Sequence, residues 1–375
     1  VSRMQGTVLA VQGPPGSGKT YLASRIIQDL LGKGKRVAVT ANSHSAIHNV
    51  LEACMEAGVD GQLIFKTRQD GDKGPYPWRS FSSNQTTGNN LAKATGAWVL
   101  GGTSFSLCNK DIAPNRVDYL IIDEAAQFSL VDALAVASFA DNIILLCDPQ
   151  QLPQVVQALH PGGVESSALG HFMGDYQILP KELGYFVEVT RRLHPAINKT
   201  VSWLAYENKL SSHEDTNRYV IKGVPPGVHT VDIDHTGNST YSREEVDKVL
   251  GLVRDHIDEV GAEEILVVAP YNAQVNAIRI ALDEVGFNEV RVGTVDKFQG
   301  REGLIVIFSL AASSAQDAPR GLGFLLDRNR MNVAISRAKS VCYVVRSKNL
   351  LRASFSSVDD VRCVSRLSGL SDSRD

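Results

Sequence analysis

The chain of 375 residues predicts an α/β fold made of two halves, each a parallel sheet. Three observations carry that prediction. Short β-rich runs alternate with helix-period segments over 8–147, and the alternation restarts over 229–346, as in sheets covered by helices on both faces. The first apolar run, Val8-Leu9-Ala10-Val11, leads into a glycine-rich stretch that opens a helical pattern at Leu22, Ile26 and Leu30. Gly-rich and polar residues between Gln157 and Gly184 make a natural junction. The expected domains are therefore 1–184 and 185–355, with a Ser- and Arg-rich tail, 356–375, in which low apolar periodicity predicts no element.

In the first half the patterning predicts strands at 7–12, 36–40, 62–66, 98–101, 119–123 and 142–147, and helices at 20–31, 45–57 and 129–137. The polar stretch 67–90 reads as a loop excursion from the sheet edge. It is either a solvated insertion or a nucleic-acid contact through Arg68, Lys73, Trp78 and Arg79. In the second half strands are expected at 229–234, 264–269, 289–292, 304–310 and 341–346, and helices at 195–206, 242–259, 271–285 and 327–338.

Composition excludes several classes. A net charge of −3 is not that of a protein that coats nucleic acid through bulk positive charge, although a local basic groove remains compatible with it. The five cysteines, Cys54, Cys108, Cys147, Cys342 and Cys363, are scattered with no C-x-x-C, which argues against a disulfide framework or a zinc site. They fit a reducing, cytoplasmic setting. The longest apolar stretch, 304–312, is too short to span a bilayer. The sequence begins at Val1, a few residues before the glycine-rich stretch, and is expected to be a piece of something longer.

That stretch is GPPGSGKT, Gly13 to Thr20, in the strand–loop–helix context that a phosphate loop requires. Gly13, Gly16 and Gly18 let the backbone fold tightly around a polyphosphate, with Pro14, Pro15 and Ser17 completing the loop. Lys19 supplies a point charge, the following helix adds its positive end, and the Thr20 hydroxyl is placed for Mg²⁺. YLIIDEAAQ, Tyr119 to Gln127, is an apolar strand ending in two acids at the sheet edge where ligands bind. Asp123 is the candidate metal ligand and Glu124 the candidate base. LLCDPQQLPQ offers Gln151 as an uncharged sensor of phosphate or water. VTRRLHP and NVAISRAK, the latter on a helix, offer Arg192 and Arg337, permanently charged planes suited to developing phosphoryl charge. VGTVDKFQGRE contributes Thr294, Gln299 and Glu302, the last as an acceptor for a ribose hydroxyl; VAPYNAQV places Tyr271 and Asn272 at a strand-to-helix turn suited to phosphate and sugar contacts.

The ordered set GPPGSGKT, DEAAQ, DPQQLP, RRLHP, VGTVDKFQGRE and NVAISRAK resembles superfamily 1B helicases of the nonsense-mediated-decay group. It is especially similar to the helicase half of bacterial proteins that join a RecB-like nuclease to such a motor. HPGGVESSALGH, His160 to His171, and PRGLGFLLDRNRMNVAISRAK strengthen that narrower match, and the resemblance spans 6–350. It implies two tandem RecA-like P-loop NTPase domains with ATP in the interdomain cleft, Arg192 and Arg337 as arginine fingers, and Gln151 and Gln299 coupling the ATP state to the strand. It also implies single-strand contacts from Ser43, His44, Thr103 and Thr294, and movement from 5′ to 3′. Three positions depart from the family. Arg191 replaces the aromatic residue before the first finger, Cys147 replaces a glycine, and the glutamine that reads adenine, which lies upstream in relatives, has no copy in 1–7 and only a weak candidate in Gln12.

Together these expectations describe an ATP- and Mg²⁺-dependent helicase or translocase on single-stranded DNA, with RNA as the alternative polymer, no membrane, and a nuclease domain upstream. A nucleotide-dependent clamp that grips without travelling is the alternative, as is a motor module feeding a nuclease elsewhere in a longer protein.

Overall fold

The computed structural model describes residues 1–67, 76–81, 83–152, 166–174, 176–298, 300–352 and 357–370. The chain divides into two compact units. One comprises Val1–Pro149 and Pro153–Val187; the other comprises Gln150–Leu152 and Glu188–Asp375.

The first unit runs β1 (Val8–Gln12), α1 (Lys19–Gly32), β2 (Arg36–Thr40), α2 (His44–Glu56), β3 (Ile64–Lys66), β4 (Arg79–Ser80), α3 (Asn84–Lys93), β5 (Trp98–Gly101), α4 (Ser104–Leu107), β6 (Val117–Asp123), α5 (Leu130–Ala137), β7 (Ala140–Cys147), α6 (Ala168–Met173) and β8 (Gly184–Phe186). Its strands form one parallel sheet in the order β4-β3-β5-β2-β6-β7-β1-β8. The central strands are largely apolar because both faces are covered: six of the seven residues of β6 are buried. One face packs a cluster built on Phe65, Trp98, Leu120 and Phe128, and the other a cluster built on Ile27, Leu30, Ile47 and Ile121.

Register fixes what stands at the sheet's C-terminal edge. Gln12 pairs with Cys147, Asp123 with Leu146, Thr40 with Ile122 and Val39 with Gly101. The turns that follow β1, β7, β6, β2 and β5 therefore emerge side by side. Helices start there on side-chain caps: Ser43 accepts from Ala46 N–H, Thr103 from Ser106 and Ser129 from Asp132.

The second unit runs β9 (Val189–Thr190), α7 (Pro195–Ala205), β10 (Ser211–Ser212), β11 (Gly227–Ile233), α8 (Arg243–Val260), β12 (Ile265–Ala269), α9 (Asn272–Glu284), β13 (Arg291–Thr294), β14 (Gly303–Ser309), α10 (Gly321–Leu325), α11 (Arg328–Ile335), β15 (Ala338–Ser347) and α12 (Val358–Gly369). Its main sheet is again parallel, in the order β11-β15-β14-β12-β13. A buried polar network ties three elements at this sheet's C-terminal edge. His235 joins Ser313 (2.7 Å) and Glu245 (3.0 Å), and Glu245 accepts from Ser309 Oγ (2.6 Å) and Ala311 N–H (2.9 Å).

Four expectations need correction. The tail is not featureless: α12 is a helix with a reciprocal capping box between Ser357 and Asp360, and it buries Cys363, Val364 and Leu367. Part of 67–90 is regular, as β4 and α3, and Trp78 is buried against His48 and Tyr76 at ring-centroid distances of 4.8 and 5.2 Å, so it is a core residue rather than a strand contact. Arg79 is exposed and donates to Gln62, while Arg68 and Lys73 lie outside the described residues. Arg337 is not on a helix: α11 ends at Ile335, and Arg337 sits between its cap, Ser336, and the start of β15. Gln12 is fully buried, donating to Gln177 O (3.0 Å) and accepting from Leu179 N–H (2.7 Å), so the sheet core already holds the side chain considered for adenine.

Candidate nucleotide-binding site

The loop between β1 and α1 is anchored by Gly13 N–H donating to Cys147 O (2.7 Å). Gly16 (φ 71°) and Gly18 (φ 80°) take left-handed backbone conformations, which lets the loop double back at the helix start. A Cβ on Gly13 would stand 2.3 Å from Lys19 Cγ, so glycine there is a packing requirement. No side chain caps α1 at Gly18, and its first turn carries no acid, so its N-terminal end keeps its positive character for an anion. Lys19 folds back over the loop, donating to the carbonyls of Gly13 (2.6 Å) and Pro14 (3.4 Å). The buried Ser17 hydroxyl has no hydrogen-bond partner among the described residues. Pro15 and Thr20 complete the stretch.

The acids come from β6. Asp123 is its last residue and is buried; Glu124 follows with φ 53°, one of the few non-glycine residues in the left-handed region. That turn is pinned at several points: Glu124 N–H donates to Asp123 (3.0 Å), Ala125 N–H to Leu146 O (3.1 Å) and Ala126 N–H to the Cys147 sulfur (2.9 Å). Burial pushes the Asp123 carboxyl above the usual carboxylate range, against the pull of Lys19 and the Glu124 N–H. Burial and the neighbouring Asp123 push Glu124 up as well, again opposed by Lys19. The structure thus gathers Lys19, Asp123 and Glu124 into one charged group. It also gives Cys147 a task that sequence reasoning missed, acceptor for the turn that carries the acids. The one signal for it was its departure from the family's glycine.

The first unit's remaining candidates lie along the same edge: Ser43 and His44 follow β2, and Thr103 follows the adjacent β5. Ser43 and Thr103 are occupied as helix caps, which orients their hydroxyls. Gln151 is half-buried in the segment 150–152, which packs with the second unit; there Gln150 O accepts from Asn332 Nδ2 (2.7 Å).

Within the second unit, Arg192 donates to Glu302 (2.5 Å) and to Ser336 O (3.5 Å). Glu302 also meets Lys339 (3.4 Å). Burial alone would raise the Glu302 carboxyl, but Arg192 and Lys339 together hold it below its ordinary value. Expected as a ribose acceptor, Glu302 is here the counter-charge of the first candidate finger. Arg337 is buried, donating to Val333 O (3.0 Å) and Arg301 O (3.4 Å). Arg191 reaches Asp215 (3.7 Å). Asn272 opens α9 after β12, and Thr294 ends the adjacent β13, so both stand at one sheet edge. Gln299 lies outside the described residues. Among the described residues no group of three or more His, Cys, Asp or Glu could hold a metal, and no helix is long and apolar enough to cross a membrane.

Two family models described as AAA domain match the chain, one over 2–167 and the other over 166–349. The DNA polymerase alpha-associated DNA helicase A of Schizosaccharomyces pombe is 26% identical over 420 residues, covering 91% of this chain and 61% of that protein. The DNA replication ATP-dependent helicase/nuclease DNA2 of Saccharomyces cerevisiae is 25% identical, covering 91% of this chain and 25% of its own length. The DNA-binding protein SMUBP-2 of Mesocricetus auratus is 24% identical over 89% of this chain and 40% of its own. The chain thus spans between a quarter and three-fifths of these relatives. A solved complex of Arterivirus nonstructural protein 10 (helicase) with DNA shares the fold at TM-score 0.50 and 17% identity, over 90% of this chain and 60% of that one. Two AAA-domain models tile the chain's length and helicases are among its relatives along nine-tenths of it; together these matches indicate a superfamily 1 helicase.

Proposed function

We propose that this chain is an ATP-hydrolysing motor that moves along single-stranded DNA from 5′ to 3′, works in the cytoplasm, and is joined to a nuclease in the full protein. The nuclease clause is supported by relatives whose own names pair helicase with nuclease. The single observation that carries the reading is the convergence of Lys19, Asp123 and Glu124 beside an uncapped helix start.

The loop's backbone and Lys19 take the triphosphate, exchanging the Gly13 and Pro14 carbonyls for phosphate oxygens. A buried and a half-buried acid opposed by one ammonium fit a divalent cation, and Thr20 and Asp123 are the residues that would hold Mg²⁺. Bound there, the ion would neutralise phosphate charge. Glu124 orients the attacking water and accepts its proton at a carboxylate oxygen. Arg192 and Arg337 supply positive charge to the departing phosphoryl group, with Gln151 and Gln299 sensing the nucleotide's state. For Arg192 this requires leaving Glu302, so that contact makes hydrolysis conditional. Ser43, His44 and Thr103 on one unit, and Asn272 and Thr294 on the other, hold the strand backbone.

The deciding experiment measures ATP turnover with no polymer, with single-stranded DNA and with single-stranded RNA, for the wild type and Lys19→Ala. Stimulation by DNA alone and loss of nucleotide binding in Lys19→Ala are expected. Intact turnover in Lys19→Ala would overturn the site. Displacement of streptavidin from the 3′ but not the 5′ end of a DNA oligonucleotide tests direction, and no displacement from either end leaves a clamp.

A further inference from the structure

At the C-terminal edge of the second unit's sheet, next to the Tyr271 turn, lies a cluster around Phe324 whose arginines have been given no role above. Phe324, on α10, has two guanidinium groups packed over its ring. Arg320 lies over its ring at 3.7 Å and Arg330 at 4.3 Å from the centroid. Arg330 is partly neutralised by Asp296 at 3.6 Å, whereas Arg320 is exposed and has no ion pair among the described residues. The platform is rigid, because Leu322 and Leu325 anchor α10 in the core. Tyr271 approaches the same ring at 5.8 Å. It is 93% buried (7% exposed), yet its hydroxyl has no hydrogen-bond partner among the described residues, and Arg320 is the charge that acts on it.

This arrangement is unlike an ordinary solvated arginine. Stacking on Phe324 removes rotamer freedom from Arg320 while leaving its N–H edge free, so little ordering cost remains when an anion arrives. A buried, unmatched hydroxyl beside it offers a donor to the same anion. Tyr271 immediately precedes Asn272, and Asp296 follows Thr294 by two residues, so the cluster borders the two strand contacts proposed for this unit.

We propose that Arg320, braced on Phe324 and assisted by Tyr271, is a phosphate contact for the single strand on the second unit. The inference rests on the strand-binding reading of this edge. It concerns backbone phosphate, so it adds affinity without sequence preference.

The test is fluorescence anisotropy of labelled oligothymidylate across a salt series, with thermal melts to establish that each variant is folded. Releasing one phosphate contact lowers the slope of log affinity against log salt by about 0.7 for a single strand. Arg320→Ala should show that loss. Arg320→Lys should keep the slope but bind more weakly, since an ammonium cannot stack as a plane. Arg362→Ala, removing an exposed charge on α12, should leave both unchanged. A wild-type slope in Arg320→Ala, or an equal loss in Arg362→Ala, overturns the assignment while leaving the motor reading intact. A wild type that binds no oligothymidylate removes the strand reading and this contact with it.

Discussion

Asp123 and Glu124 occupy positions that folding alone would not choose. One carboxyl is buried with its pKa raised, and the other sits at φ 53°, where a non-glycine residue is strained. A buried acid with a raised pKa weakens the fold progressively as pH climbs above the ordinary carboxylate value of about 4. Below that value both folded and unfolded chains hold the proton and the penalty vanishes. Asp123→Asn keeps an acceptor for the Glu124 N–H and carries no charge. Without nucleotide it should melt higher than the wild type at pH 7, with the gap closing toward pH 4; a gap independent of pH would contradict the buried-charge account. Glu124→Gln keeps the shape and removes the base. It should retain ATP binding and lose about 10²- to 10⁴-fold in turnover, read by single-turnover hydrolysis.

Among elements, the central strands were the most legible. β2, β5, β6, β12 and β14 are buried on both faces, so their sequences are mostly apolar and β-rich, which marks their type. Short edge strands such as β4 and β8 carry no such run and escaped notice. The grouping of Lys19 with the two acids was equally readable, because a phosphate loop and an apolar strand ending in Asp-Glu share one sheet edge by topology. The Arg192–Glu302 pair was not, since 110 residues separate its members and nothing local marks them as partners. α12 was hidden by its own surface: Asp, Arg and Ser are interspersed among its apolar residues, while Cys363, Val364 and Leu367 make a narrow buried stripe. Leu367 is fully buried and its carbonyl accepts from Arg346 (2.8 Å). Leu367→Ala should therefore cost ~2–5 kcal/mol in denaturant unfolding, and Ser357→Ala ~1 kcal/mol through the lost cap. A neutral Leu367→Ala would return the helix to the status of a loose tail.

At the scale of the whole molecule, the proposed motor divides its labour by unit: phosphate loop and acids on one, guanidinium groups on the other. Arg192→Ala and Arg337→Ala should leave nucleotide affinity nearly intact while lowering strand-stimulated turnover by about a thousandfold. If either instead abolished nucleotide binding, that arginine would be a binding rather than a transition-state group. Such a molecule is built against its own durability at one turn. The strained Glu124 and the reluctantly charged Asp123 are where tolerance to heat is most cheaply gained. A population selected for heat resistance, with no demand that it consume ATP, would accumulate replacements there first and drift into sturdy, inert descendants.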